Sequence, residues 1–336
     1  MHEERGRNPD RSASEGSLGT LGSRSCGRRT TSGSKRGRAR ALLLLGILAA
    51  GCRSTQPAEA PAKTEPFVPL PDEDPASIGF FLTQLDKSLQ RWSELKLTAS
   101  DAKDERTLDA LEKNLELETT KRQDELVAAL EAGPPTNRQI AAVALGFTHD
   151  PAVLSPLLSA LSDRDPALVQ KALLGLGVLG LPETPLAQPL HIMLRDSDPW
   201  TRNNAAFALQ CITSAGGRSM DLASGALAGL ADPEPGVRAQ CASILGILEE
   251  AEAVEPLANL VYDDVSLVTA AAVTALARIG RFQHEKKGQA ARALADALDE
   301  VDRARRTQVL RGLIALSDQN LGEDSTAWRE WAYRLP

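Results

Sequence analysis

The stretch Asp196-Ser197-Asp198-Pro199-Trp200-Thr201-Arg202-Asn203-Asn204-Ala205-Ala206-Phe207-Ala208-Leu209 decides how the rest of the chain is read. Asp198 followed by Pro199 is a helix start, because the carboxylate accepts from the first free N–H groups and the proline φ already suits a first helical residue. Beyond it, Arg202, Ala205 and Ala208-Leu209 fall on one face at helical spacing. Small residues at that spacing let two helix backbones approach closely.

Working outward, the same pattern recurs in register. It reads Arg138, Ala141, Ala144-Leu145; then Val169, Ala172, Gly175-Leu176; and, after the quoted stretch, Arg238, Cys241, Ile244-Leu245. Two more follow, Thr269, Ala272, Ala275-Leu276 and Arg306, Val309, Gly312-Leu313. The anchor leucines are 31, 33, 36, 31 and 37 residues apart, the period of a helix–turn–helix unit. Between the matches lie further apolar helices, at Leu154 to Leu161, Leu186 to Leu194, Leu222 to Leu230, Val254 to Val261 and Ala290 to Leu298. One helix pair cannot bury its own apolar face, but stacked pairs share a continuous core. Abundant Ala and Leu, with only 4% aromatics, agree with an all-α chain.

The motif Asp196, Asp198, Pro199, Arg202, Ala205, Ala208, Leu209 resembles the opening of the second helix in short HEAT-like repeats. The resemblance covers residues 134–316 and implies an α-solenoid, an α-α superhelix of about six helix pairs. It also implies that an Asp–Arg ladder involving Asp198, Arg202, Arg238 and Arg306 joins successive repeats, broken where Val169 and Thr269 replace arginine. The expected organisation is a disordered extension and signal over 1–51, a tether over 52–77 and N-terminal helices over 78–131. Repeats follow over 132–317, with a cap over 318–336. Ile78, Phe81, Leu82, Leu85, Leu89 and Trp92 make one amphipathic helix, and Leu108 to Leu130 reads as a longer, charged one. Trp328 and Trp331 share a helix face, either closing the end of the stack or offering a contact surface.

The N-terminal region has a different character. Residues 1–51 hold ten Lys and Arg against four Asp and Glu, whereas residues 52–336 hold 28 against 41, a net of −13. That acidic body speaks against nucleic acid, which needs a basic footprint. Lys35, Arg36, Arg38 and Arg40 precede the apolar run Ala41 to Ala50, which is short for a bilayer span and suited to a secretory signal. Its end, Leu48-Ala49-Ala50-Gly51-Cys52, resembles the lipobox of bacterial lipoproteins. The resemblance implies cleavage before Cys52, lipidation of that residue and a place in the cell envelope. Arg53, where an Asp would signal retention, implies the outer membrane. Six prolines between residues 53 and 77 then make a stiff tether, about 3.1 Å per residue.

No catalytic constellation is legible. His149, His191 and His284 are scattered, no HExxH or CxxC occurs, and Gly175, Gly177 and Gly180 sit within or at the end of a repeat helix, so neither metal nor cofactor is expected. Cys211 and Cys241 fall too far apart along neighbouring helices for a disulfide. The reading is therefore of a binding scaffold. An enzyme or enzyme accessory of the kind found among HEAT-like bilin lyases and a glycan-binding structural protein are the alternatives.

On the concave face implied by the resemblance, the outward positions read Gln139 with Val143, Gln170 with Leu174 and Asn203 with Phe207. They continue Ala239 with Ser243, Ala270 with Thr274 and Thr307 with Arg311, turning basic around Arg303, Arg305 and Arg311. Amides beside an apolar rib suit a polypeptide partner. Gln139, Gln170, Asn203, Phe207 and the turn residue Trp200 are the candidate contacts. The same rib could instead be covered by the 78–131 helices.

If Cys52 is the lipid site, Cys52→Ser moves the protein from the membrane to the soluble fraction and abolishes fatty-acid labelling. A Cys52→Ser chain that remains membrane-bound would count against the anchor.

Overall fold

The computed structural model describes residues 77–98 and 101–336. The expected signal, Cys52 and the proline-rich tether lie outside the described residues. Within them the chain forms helices and no strand. In chain order these are α1 (Ile78–Thr98), α2 (Ala102–Lys121), α3 (Gln123–Ala132), α4 (Pro135–Gly146) and α5 (Leu154–Ala160). Next come α6 (Pro166–Leu179), α7 (Ala187–Arg195), α8 (Pro199–Ala215), α9 (Leu222–Gly229) and α10 (Pro235–Leu248). The last are α11 (Val254–Leu260), α12 (Ser266–Phe282), α13 (Lys287–Ala297), α14 (Arg303–Ser317) and α15 (Ser325–Tyr333).

From α3 to α14 the helices form six pairs. The even members α4, α6, α8, α10, α12 and α14 pack successively against one another, and each odd member packs on the even helix of its own pair. The anchor leucines Leu145, Leu176, Leu209, Leu245, Leu276 and Leu313 are all fully buried. The small residues work as the spacing requires. A side chain on Gly175 would run into the Ala142 carbonyl oxygen across the α4–α6 contact, and one on Gly177 would strike the Phe207 ring.

The helix starts repeat too. Asp165, Asp198 and Glu234 cap α6, α8 and α10 by accepting from Ala167, Thr201 and Gly236 N–H, each with proline as the first helical residue. The acid two residues earlier has a second task. Asp163, Asp196, Asp232 and Asp263 accept from the N–H of residues 165, 198, 234 and 265 at 2.8–2.9 Å, fixing the turn.

That earlier acid also ties one pair to the one before it. Arg138 Nη2 donates to Asp163 at 2.6 Å. Arg202 grips Asp232 with two bonds of 2.8 and 2.9 Å, and Arg238 grips Asp263 at 2.9 and 3.0 Å. The Asp165 N–H first, and Arg138 second, hold the Asp163 carboxyl below the usual carboxylate range. The register differs in one respect from the sequence expectation. Asp198 receives no arginine; it accepts from Gln170 Nε2 at 3.0 Å and from Thr201 at 2.7 and 2.8 Å. The reason is geometric, since the acid facing the preceding pair's arginine position is the first of the Asp-x-Asp, and at that joint the position is Val169. Arg306 holds the other end, donating to the Leu298 and Glu323 carbonyls ahead of α15.

Two sequence expectations need correction. The single helix expected from Leu108 to Leu130 is α2 and α3, broken at Arg122. Buried Thr119 bonds back to the Leu115 carbonyl at 2.8 Å, a contact that bends helices. Arg122 then binds Glu125 at 2.9 and 2.6 Å and stacks on Phe81. Because α3 packs on α4, the first pair begins at 123 rather than 132. At the other end, Trp328 is fully buried and donates to the Gly322 carbonyl at 2.9 Å, while α15 packs on α13. Trp328 thus sits inside the cap, and Trp331 meets it edge-on with centroids 5.8 Å apart.

The Arg202–Asp232 pair is nearly enclosed, each side chain being 12% exposed. Removing one partner strands a buried charge, so Arg202→Ala should lower the free energy of unfolding by about 3 kcal/mol in chemical denaturation. A loss below about 1 kcal/mol would rank it with surface pairs.

Candidate functional site

The expected contact residues lie on the face made by the even helices, but the structure occupies most of them from within. Gln139 Nε2 donates to Asp165 at 2.8 Å, and Gln170 Nε2 to Asp198 and Thr201. Both amides therefore bridge to the next helix start. Asn203 is 1% exposed and packs against Gly236 at the start of α10, its Oδ1 without a partner among the described residues. Phe207 is 5% exposed, its ring seated in the space left by Gly177 on the preceding even helix. These positions are outward with respect to their own helix yet covered in the stack, so Asn203 and Phe207 cannot be partner contacts in this conformation.

Over the first pair the cover is α1. Its stripe Leu82, Leu85, Leu89, Trp92 and Leu95 is buried, and the helix packs on α4, which carries Val143, and on α3. Trp92 stands edge-on to Phe147 with centroids 5.2 Å apart. Its indole N–H donates to Glu112 on α2 at 3.0 Å, and Lys96 meets the same carboxylate at 2.7 Å. So α1 lies over the first pair, and there the internal arrangement of the 78–131 helices holds.

Beyond the third pair the even-helix face opens. Between α12 and α14 lies a cleft of about 510 Å³. Ala277, Arg278 and Phe282 of α12 and Arg311 and Ala315 of α14 line it, over a floor of Val273 and Gly312. Phe282 is 55% exposed. Arg278 stacks on its ring and reaches Glu249 at 3.4 Å; Arg281 meets Asp318 at 3.1 Å and the Ala315 carbonyl at 3.2 Å. Arg311 is exposed and has no ion pair or hydrogen bond among the described residues.

Reading the sequence two positions either side of the anchor finds this cleft; reading only before it misses half. One turn further along the stripe, two residues after each anchor, the series is Phe147, Val178, Cys211, Ile247, Arg278 and Ala315. Arg281, on the flank of the stripe, carried no such signal.

The remaining candidates stay apart. Trp200 is 42% exposed at the start of α8. The three histidines all have exposed side chains, and His149 adopts a left-handed φ of 51°. Cys211 and Cys241, the cysteines among the described residues, are free thiols. Desolvation pushes Cys211 up to about 12, against the pull of Lys96, and raises Cys241, whose Sγ lies 3.7 Å from Met193 Sδ.

Trp92 should therefore hold the cover in place. Trp92→Ala should destabilise the protein by about 3–5 kcal/mol and raise amide exchange in α1 more than in α12 and α14. Uniform exchange across the chain would show that α1 is no separable cover.

Among solved structures the chain is similar to a designed armadillo repeat protein, at 20% identity and a TM-score of 0.44, covering 57% of this chain and 99% of that one. It is similar to computationally designed armadillo repeat proteins for modular peptide recognition, at 18% identity, TM-score 0.44 and the same coverages of 57% and 99%. Human deoxyhypusine hydroxylase in complex with glycerol gives 21% identity and a TM-score of 0.34, covering 73% of this chain and 93% of that one. No curated protein matches the chain. The family model for HEAT repeats matches residues 123–210 and 223–314, more than half of the sequence, beginning at α3 and ending within α14. The chain belongs to the HEAT repeats family.

Proposed function

We propose that this protein is a lipid-anchored cell-envelope scaffold that holds a protein partner on the concave surface of its later repeats. The observation that carries the reading is the asymmetry of the even-helix face: α1 packs over its first pair, and between the last two pairs lies a cleft with exposed Arg278, Phe282 and Arg311. A stack tied by the Arg202–Asp232 and Arg238–Asp263 pairs is a preorganised platform, so little ordering entropy is lost when a segment lies on it. Cys52 and the proline-rich stretch after it would suspend that platform away from the membrane. The role is binding, with chemistry left to whatever the partner brings.

The test is site-specific photo-crosslinking in native membranes, with the reactive group placed at Thr274 on the cleft side or at Glu255 on α11, both exposed. One protein captured in stoichiometric amount from Thr274 and not from Glu255 is the expected result. Equal capture from both positions, or none from Thr274, would remove the groove from consideration.

A further inference from the structure

The cleft between α12 and α14 stands out against the charge of the rest of the molecule. Residues 52–336 carry a net of −13, yet the stripe of α14 reads Arg303, Thr307, Arg311, Ala315 at i, i+4 spacing, beside Arg278, Arg281 and Phe282 of α12. Arg278 and Arg281 each have one acidic neighbour, Glu249 and Asp318, through exposed pairs that solvent weakens. Arg303 and Arg311 are exposed with no ion pair among the described residues. Between the two helices the floor of Val273 and Gly312 is apolar, with Ala277 and Ala315 beside the half-exposed Phe282 ring.

We infer that this cleft takes a short acidic polypeptide segment carrying a large apolar side chain, the carboxylates on Arg311 and Arg278 and the apolar group against Phe282 over Ala277 and Ala315. The inference rests on the scaffold reading and names the chemistry of the partner. Charge complementarity selects the acidic component, since guanidinium forks pair with carboxylates and the acidic body repels any long polyanion. Nucleic acid needs a continuous basic track, which a few arginines flanked by Glu249 and Asp318 do not make. An anionic bilayer is flat, whereas the arginines of α12 line a recess between two helices. The size of about 510 Å³ accommodates a few side chains rather than a folded domain.

The experiment is selection of a random twelve-residue peptide display library on the purified full chain, with Arg278→Glu/Arg311→Glu as the counter-target and circular dichroism confirming that both are folded. Enriched peptides should show an excess of Asp and Glu around a Leu, Phe or Trp. A labelled enriched peptide should bind the variant at least tenfold more weakly, and raised salt should weaken binding to the wild type. Enrichment of neutral or basic sequences, or equal binding to the variant, overturns the inference. So does tighter binding of single-stranded DNA or of vesicles containing phosphatidylglycerol, or self-association abolished by the same substitutions. If Thr274 captures a partner while the selected peptides are neutral, only the acidic chemistry fails. If Thr274 captures nothing while acidic peptides are selected, the scaffold reading fails and the cleft specificity stands.

Discussion

At three of the five joints between its helix pairs, this protein is held together by an acid that does two things at once. Asp232 receives the N–H of Glu234, which fixes its own turn, and the guanidinium of Arg202, which belongs to the pair before. The turn therefore cannot adopt its shape independently of its neighbour, and the angle between pairs is set where the helix starts are set. Asp163 and Asp263 repeat the arrangement. Close packing accompanies it at the first joint, where Gly175 meets the Ala142 carbonyl beside the Arg138–Asp163 pair.

The architecture was legible in the sequence because its signals are local. Asp198-Pro199 starts a helix wherever it occurs, and the buried anchors Leu145 to Leu313 keep a regular period. The break at Arg122 was not legible, since Leu108 to Leu130 keeps helical periodicity straight through it; the bend comes from Thr119 and from the need of α3 to lie on α4. The candidate site was harder for a related reason. Gln139, Gln170 and Phe207 do sit on the face that periodicity assigns them. Their partners, Asp165, Asp198 and Gly177, come from adjacent pairs, and the cover over the first pair comes from α1, a helix with no repeat signature. Arg311 was legible as part of a basic turn in the pattern; its freedom from ion pairs required the fold.

The molecule thus divides one face into two environments without changing its repeat. In the first half the stripe is apolar, with Phe147 meeting Trp92 of α1 and Phe207 filling the space at Gly177. In the second half the same positions carry Thr274, Arg278 and Arg311, which gain nothing from an apolar cover. Alternation of polarity along the stack, rather than along any helix, is what leaves a surface for others.

One joint in the stack differs from its neighbours in how it resists load. Between the second and third pairs Val169 stands in place of arginine, and among the described residues no salt bridge crosses; Gln170 and Asn204 make the polar links, joined by Gln188 to Ser162. Its hold is packing instead, with the Phe207 ring set against Gly177. A joint held by shape keeps its strength in concentrated salt, where the more exposed ion pairs of the stack lose part of theirs.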